Sequence, residues 1–175
     1  QLRYSGEKYI EHPLQVARIL AGWGQGQTVL EAALLHDTVE DTEVTLDQLK
    51  DKFGEDVAFL VDGVTKVGSV RLRGSTDHIF VENLRKMFVA MAQDIRVVLI
   101  RLADRLHNMQ TLDAVPLSKQ RRIALETLEI YSPLAERLGM GFLKGQLEDL
   151  AFAYAYPKQY QWVTHLSLPH FHKAE

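Results

Sequence analysis

Apolar residues recur along this chain mainly at helical spacing, and the segments that separate the apolar stretches are short. A spacing of three and four residues places side chains on one face of an α-helix, whereas signals for strands are weak here. With 46% hydrophobic residues among 175, the chain can fill a hydrophobic core. We therefore predict an all-α fold in which helices pack as a bundle in a single compact domain.

Start signals for helices recur along the sequence. Pro13 is favoured as the first residue of a helix. A threonine followed three residues later by Glu or Gln is the signature of a capping box, in which the two residues cap each other's backbone amides. This signature occurs twice, as Thr28 with Glu31 and as Thr45 with Gln48. We predict that helices begin at these positions.

Other signals place the remaining elements. Asp94 is expected to cap a helix that contains both the β-branched run IRVVLI and the segment RLADRLHNM. Ser118 is expected to cap a long helix that Pro133 kinks and Gly139 ends. Residues 68–78 lack periodicity and are predicted to form a loop. The other predicted helices cover residues 29–39, 45–54, 56–67, 82–92 and 142–156.

The absence of cysteine restricts the chemistry open to the chain. A metal would be held by imidazole and carboxylate groups, because there is no thiolate to bind it. The net charge of −3 argues against a broad nucleic-acid-binding surface. The sequence also lacks an apolar run of about 18 residues and the apolar core of a signal peptide. We therefore expect a cytoplasmic protein that binds neither membranes nor nucleic acid.

A first group of candidate metal ligands lies in the segment LEAALLHDTVED. His36 and Asp37 are adjacent, about 100° apart on a helix, so both can face one ion. Glu40 and Asp41 follow one turn later. Burying four such groups unpaired would be costly, which favours a shared cation or a solvent-filled cleft. The alternative is a helix end whose polar last turn is simply solvated.

A second group lies in the segment LADRLHNM, where Asp104 and Asn108 share one helix face. Asp104 would join the first group in a mixed nitrogen and oxygen site, with His12 as a further candidate at the start of the first helix. Such a site suits Mn²⁺ better than Mg²⁺, Fe²⁺ or Zn²⁺. Taken alone, His12 is more typical of a cap or surface residue. His107 could be a hydrogen-bond partner of a metal ligand, but it is more typical of a packed or capped histidine.

Five sequence blocks follow one another along the chain. They are RYSGEKYIEHP from Arg3, ALLHDTVEDT from Ala33, LVDGVTK from Leu60, ENLRKM from Glu82 and RLADRLHNM from Arg101. In this order they resemble the N-terminal HD hydrolase domain of the Rel/SpoT family, which synthesises and hydrolyses guanosine alarmones. A bare His-Asp pair is a weak signal, but five ordered blocks are a strong one, and the resemblance extends from Arg3 to about Tyr156.

The resemblance implies an HD-domain helical bundle with a central metal site. It also implies hydrolysis of the 3′-pyrophosphate from guanosine tetraphosphate and pentaphosphate (ppGpp and pppGpp), which gives GDP or GTP and pyrophosphate. The usual metal is Mn²⁺, one ion per site. The residues at the matching ligand positions are His12, His36, Asp37 and Asp104.

The resemblance further assigns residues to the reaction and the substrate. Glu40 and Asp41 match the positions that activate and orient the attacking water. A planar guanidinium stacks better than an ammonium, which suits the residue expected to lie on the guanine. The substrate-binding positions are Arg3 on the guanine, Ser5 beside the nucleotide, and Asn108 and Thr111 at the sugar and base pocket.

The chain departs from the family pattern at three positions. Tyr4 and Arg101 stand where a lysine is common, and Gln110 stands where an arginine is common. Tyr4 and Gln110 remove positive charge from the region expected to bind phosphates. The preference between tetraphosphate and pentaphosphate is therefore open, while the expected metal ligands are intact.

The resemblance also predicts the domain organisation. Residues 1–156 would form the hydrolase domain, and residues 157–175 a C-terminal helical extension or tail leading toward a synthetase domain. The synthetase motifs are absent from this sequence, so we expect no pyrophosphate transfer. The synthetase and regulatory domains would belong to a longer protein.

Two other functions are compatible with the same fold. One is an HD phosphohydrolase that acts on a different nucleotide, which a guanine-stacking Arg3 and the ENLRKM block disfavour. The other is a catalytically silent regulatory domain that binds a nucleotide, which the presence of Glu40 and Asp41 disfavours.

Overall fold

A computed structural model describes residues 6–68 and 94–171 of the chain. Every regular element in these two ranges is helical, which confirms the all-α prediction. No helix within them has the length and apolar character needed to cross a membrane. The predicted loop beyond Gly68 and the predicted helix over residues 82–92 lie outside the described residues.

The first range consists of five helices. These are α1 (Glu11–Gly22), α2 (Gln27–Leu35), α3 (Thr38–Asp41), α4 (Leu46–Phe53) and α5 (Glu55–Gly68). Helix α5 packs against α2, α3 and α4, and α2 also packs against α1.

The second range begins with a long helix and continues through shorter ones. The chain divides into two compact units, Gln1–His107 and Asn108–Glu175, so that this long helix supplies residues to both. The assignment of residues 1–156 to one hydrolase domain stays a prediction. The elements are α6 (Ile95–Gln110), a 3₁₀ turn (Leu112–Ala114), α7 (Leu117–Glu126), a π-helical turn (Thr127–Tyr131), α8 (Ser132–Arg137), α9 (Gly141–Ala155) and α10 (Pro157–Phe171).

Helices α5 and α6 approach each other closely at Gly63. A β-carbon built at Gly63 would lie 2.7 Å from Val97 Cγ2 on α6, closer than real contacts allow. Val97 is buried and β-branched, so its side chain has little freedom to move away. The glycine therefore lets α6 pack directly on α5, which brings the Asp104 helix next to the rest of the first unit.

Two predicted caps are confirmed. The Thr45 hydroxyl accepts from the Gln48 amide, and the Gln48 side chain accepts from the Thr45 amide, which completes the capping box of α4. Asp94 Oδ1 accepts from the Arg96 amide at 2.9 Å and caps α6. The ambiguous run IRVVLI is therefore helical, because a cap and a buried face outweigh its β-branched character.

Three predicted helix starts are wrong. Helix α1 begins two residues before Pro13, since carbonyls of the preceding turn already accept the amides of residues 11 and 12. Helix α2 begins at Gln27 with Gly26 as its cap, and the Glu31 carboxylate accepts from the Gln27 side chain instead of capping. Helix α7 begins at Leu117 behind Pro116, without a side-chain cap from Ser118.

The predicted interruption at Pro133 is confirmed. Proline has no amide to donate to the carbonyl four residues earlier. The π-helical turn Thr127–Tyr131 lies just before it, and α8 contains Pro133 in its first turn. Gly139 ends α8 with a φ of +73°, and the amides of Gly139 and Met140 bond back into the helix. This arrangement is a Schellman motif, which requires the left-handed backbone that glycine adopts easily.

The two threonines with the same sequence signature allow a test of the capping. Thr45→Ala should lower the free energy of unfolding by about 0.5 to 2 kcal/mol, because the α4 cap is lost. Thr28→Ala should change it by less than about 0.5 kcal/mol or raise it, since Thr28 lies inside α2 and alanine favours helix. Urea denaturation of both variants measures the difference. Equal losses would contradict the assigned caps.

Candidate metal centre

Three parts of the first unit deliver the predicted metal ligands. His12 is the second residue of α1, and Asp104 lies in the middle of α6. His36 and Asp37 occupy the junction between α2 and α3. His12, His36 and Asp104 are only 3%, 1% and 8% exposed. Residues far apart in sequence are thus buried where their ligand atoms can meet.

The ligand atoms of these four residues lie close together. His36 Nε2 is 3.1 Å from Asp37 Oδ1, and His12 Nε2 is 3.2 Å from Asp104 Oδ1. Across the cluster, His12 Nε2 is 3.8 Å from Asp37 Oδ2, and His36 Nε2 is 3.9 Å from Asp104 Oδ1. Ligands that share one ion at about 2.1 Å are about 3.0 to 3.4 Å apart, so this spacing is close to that of a single metal site.

The junction that carries His36 differs from the prediction. The stretch 29–39 was predicted as one helix, but α2 ends at Leu35 and α3 begins at Thr38. His36 Nδ1 donates to the Ala33 carbonyl at 2.7 Å, one of the carbonyls in the last turn that lack an intrahelical partner. This bond fixes the imidazole, so that its neutral form presents the Nε2 lone pair to the cluster.

His107 orients the other imidazole. It is buried, and its Nδ1 lies 2.8 Å from His12 Nδ1. Only one of these two nitrogens can carry the proton between them. If His12 donates from Nδ1, its Nε2 is left with a lone pair for a metal. His107 was interpreted from sequence as a packed or capped histidine, and the structure favours the alternative, a partner of a ligand.

The residues present fit a divalent metal. His36 Nε2 is buried and has no hydrogen-bond partner among the described residues, although Asp37 Oδ1 lies near it. An unsatisfied buried nitrogen is costly, and a bound cation would satisfy it. Ligand atoms of His12, His36 and Asp37 all lie within 4.8 Å of one another, and Asp104 adds a second carboxylate. Two imidazoles and two carboxylates form a donor set that a divalent transition metal accepts.

The charges of the cluster stabilise one another. Burial lowers the pKa of His36, but the carboxylates of Asp37 and Asp104 outweigh burial and leave that pKa above 6.5. Burial raises the pKa of Asp104, but His12, His36 and Arg101 more than compensate and hold it well below its usual value. The pKa of Asp37 is lowered in the same way, chiefly by His36. Both carboxylates are therefore ionised at neutral pH, as metal ligands must be.

Tyr9 is a site residue that the sequence analysis missed. Its hydroxyl lies 2.7 Å from Asp37 Oδ2 and 2.5 Å from Asp41 Oδ2. Burial, together with the two carboxylates, raises the pKa of Tyr9, so the phenol stays protonated and can donate. The spacing could have identified it, since Tyr9 precedes His12 by three residues. Tyr9 connects a metal-ligand candidate to one of the predicted water-orienting carboxylates.

A cavity of about 380 Å³ opens beside Asp37. Its wall combines apolar side chains with the Tyr9 hydroxyl and two carboxylates, so both water and a partly apolar group fit there. The lining residues are Tyr9, Ile10, Pro13, Leu34, Asp37, Thr38, Asp41 and Thr42.

Glu40 lies on α3 and faces a guanidinium. Its Oε1 is 4.0 Å from Arg101 Nη2, and its side chain is 38% exposed. Burial raises the pKa of Glu40, with added contributions from Asp37 and Asp41, and Arg101 opposes the rise. A raised pKa brings a carboxylate closer to the range in which it exchanges protons at neutral pH.

Two of the four predicted substrate-binding residues lie among the described residues. Arg3 and Ser5 lie outside the described residues. Asn108 lies in the last turn of α6, and Thr111 precedes the 3₁₀ turn; both are partly exposed and belong to the second unit. Their roles stay predictions.

Comparison with known proteins identifies the family of this chain. The model of the HD domain family matches residues 1–141. A GTP pyrophosphokinase of Streptomyces coelicolor is 54% identical over 95% of this chain, which covers 19% of that protein. A guanosine-3′,5′-bis(diphosphate) 3′-pyrophosphohydrolase of Haemophilus influenzae is 53% identical over 92% of this chain and 24% of its own length. The chain thus spans about a fifth of the length of these relatives.

A solved structure is similar as well. It is a metazoan orthologue of SpoT that is described as hydrolysing ppGpp and acting in starvation responses. The match has a TM-score of 0.55 and 29% identity, and covers 86% of this chain and 81% of that one. The resemblance to Rel/SpoT enzymes drawn from five sequence blocks is confirmed by these relatives.

Metal binding should stabilise the chain. Mn²⁺ at about 100 times its dissociation constant should add about 2.7 kcal/mol, which raises Tm by about 5 to 11 °C. EDTA should reverse the shift, and Asp104→Asn should remove most of it because a buried ligand is lost. Asp62→Asn is a matched control, since Asp62 pairs with Lys66 on α5. Thermal unfolding with and without metal measures these shifts; a parent chain that shows no shift would contradict the site.

Metal affinity should depend on pH through His36. Only the neutral imidazole binds a metal, and the pKa of His36 lies above 6.5 in the metal-free chain. Protons therefore compete as the pH falls through that raised pKa, and the affinity should drop by about tenfold per pH unit below it. Calorimetric titration with Mn²⁺ between pH 8.5 and 5.5 measures this dependence, with the exposed His165 replaced by Gln as a control. An affinity that stays constant over this range would count against His36 as a ligand.

Proposed function

This chain belongs to the HD domain family, and on that basis we propose that it removes the 3′-pyrophosphate from guanosine tetraphosphate and pentaphosphate. The products are GDP or GTP and pyrophosphate. The observation that carries the proposal is the buried cluster of two imidazoles and two carboxylates, with Glu40 and Asp41 beside it. The named activity of the Haemophilus influenzae relative and of the metazoan structure supports the choice of substrate.

The proposed metal is Mn²⁺, held by the cluster of His12, His36, Asp37 and Asp104. Imidazole and carboxylate ligands without thiolates are compatible with this ion. When bound, it supplies positive charge that offsets the charge on phosphoryl oxygens and makes a neighbouring water more acidic. The donor set and the unpartnered His36 Nε2 support this assignment.

We assign proton transfer to the carboxylates of α3. Glu40 accepts the proton of the attacking water, because its raised pKa suits a general base better than an ordinary glutamate would. Asp41 orients the water, and its own orientation comes from the Tyr9 hydroxyl. The two residues lie on the same short helix, one at the Arg101 side and one at the Tyr9 side of the centre.

Substrate recognition is the part of the proposal that rests on motif positions. Arg3 stacks on the guanine, Ser5 lies beside the nucleotide, and Asn108 and Thr111 contact the sugar and base. Planar stacking and hydrogen bonding to a hydroxyl suit these residue types.

The proposal also concerns a longer protein than this chain. The curated relatives are about five times longer. We therefore propose that this chain is part of a protein that also contains synthetase and regulatory domains. A cytoplasmic location fits a nucleotide substrate. We assign no nucleic-acid binding and no membrane binding to this domain.

Incubation of the purified chain with guanosine tetraphosphate and Mn²⁺ tests the activity directly, with released pyrophosphate as the readout. Asp37→Ala should abolish release because a metal ligand is lost. Glu40→Gln should lower kcat by about 10²- to 10⁴-fold, as expected for a general base, while Mn²⁺ binding is retained. Glu43→Gln is the matched control, since this exposed residue lies just beyond α3.

Two results would overturn the proposed function. A parent chain that binds the nucleotide without releasing pyrophosphate would identify a silent regulatory domain. Release of phosphate or pyrophosphate from several other nucleotides at equal rates would identify a phosphohydrolase of broad specificity.

A further inference from the structure

The side chain of Arg101 contacts a neighbouring helix and a metal-ligand candidate on its own helix. The guanidinium lies on α6, three residues before Asp104, and its side chain is only 11% exposed. Nε donates to the Val64 carbonyl of α5 at 3.0 Å, and Nη1 donates to Asp104 Oδ2 at 3.2 Å. The bond to a backbone carbonyl fixes the plane of the guanidinium, since Val64 is itself buried.

The contact with Asp104 separates the functions of its two oxygens. Oδ2 accepts from Arg101, while Oδ1 faces His12 Nε2 and His36 Nε2. A free carboxylate can rotate and exchange its oxygens. With one oxygen held by a guanidinium, the other is kept toward the metal position.

Within the described ranges, the third nitrogen of the guanidinium has no hydrogen-bond partner. This nitrogen, Arg101 Nη2, is buried, and Glu40 Oε1 lies 4.0 Å away. That is about 1 Å beyond a normal N–H···O distance of about 3 Å. A buried donor without an acceptor is costly, so a small movement of the partly exposed Glu40 toward Nη2 would be favourable.

We propose that Arg101 is a positioning residue that links the metal ligand Asp104 to the water-activating carboxylate Glu40. Its planar fork holds Asp104 through Nη1 and receives Glu40 through Nη2, while Val64 anchors Nε. This inference deepens the proposed function and rests on it for the role of Glu40. The link to Asp104 stands on the metal site alone.

Three variants separate this role from simple packing. Arg101→Met keeps much of the length and apolar stem but removes every donor. Arg101→Lys keeps the charge but offers one nitrogen, which cannot contact Val64, Asp104 and Glu40 together. Arg96→Met is the control on the same helix, because Arg96 pairs with Asp94 at the start of α6.

The first measurement is the affinity for Mn²⁺ alone, by calorimetric titration. Arg101→Met should weaken binding by about 10- to 100-fold, the usual effect of losing a group that orients a ligand. Arg101→Lys should stay within about threefold of the parent, because the ammonium can still hold Asp104. Removing a positive charge would by itself strengthen binding of a cation. An unchanged or tighter affinity in Arg101→Met would therefore overturn the link to Asp104.

The second measurement is kcat at saturating Mn²⁺ in a double-mutant cycle with Glu40→Gln. In the parent background, Arg101→Met should lower kcat by about 10- to 100-fold. In the Glu40→Gln background, the fold-reduction of kcat caused by Arg101→Met should be at most about a third of that in the parent background. The reason is that the carboxylate that Arg101 orients is already lost. If Arg101 had a purely structural role, Arg101→Met would reduce kcat by the same factor in both backgrounds. That result would overturn the link to Glu40.

Arg101→Lys keeps the test decisive if Arg101→Met does not fold. The lysine variant should lower kcat by about tenfold while its Mn²⁺ affinity stays close to that of the parent. Parental kcat in this variant would overturn the proposal. A parent chain that releases no pyrophosphate would defeat the proposed function instead, and Mn²⁺ affinity would still decide the link between Arg101 and Asp104.

Discussion

The mutual compensation of buried charges at the metal centre is the constraint on which the rest of the first unit depends. His36 and Asp104 are almost inaccessible to water, and an isolated charge at either position would be strongly disfavoured. Together with His12 and Asp37 they offset one another, and an added cation would complete the balance. The helices must therefore meet in one arrangement. The contact of α5 with α6 at Gly63 serves this requirement by bringing the Asp104 helix close.

Much of this arrangement could be predicted from sequence because it follows local rules. Helical spacing predicted the all-α fold, and the Thr45 capping box and Gly139 set real helix ends. Spacing also identified His36, Asp37 and Asp104 as candidates. His12 was different: its position at a helix start is typical of a cap, and only the resemblance to a family assigned it as a ligand. The structure places it 3.2 Å from Asp104 Oδ1.

The missed features depend on contacts between residues distant in sequence. Tyr9 reaches Asp37 and Asp41 across about thirty positions, and Arg101 reaches the Val64 carbonyl across a similar separation. No periodicity reports such contacts. Tyr9 does lie three positions before His12, and Arg101 lies three positions before Asp104. This spacing puts each of them on the same side of its turn or helix as a predicted ligand. The predicted capping box at Thr28 fails for a different reason: the local signature is present, but the helix is capped two residues earlier by Gly26.

The break between α2 and α3 changes how the centre assembles. Because His36 and Asp37 are neighbours in the chain, they form a preassembled chelating pair, and their meeting requires almost no loop closure. The conformational entropy cost of completing the coordination sphere falls on the two ligands that arrive from elsewhere, His12 on α1 and Asp104 on α6. A metal bound by these four residues would hold together α1, the junction of α2 with α3, and α6. Binding of a metal would therefore stabilise mainly the packing of α1 and α6 at the centre. It would have the least effect on the local structure around His36 and Asp37.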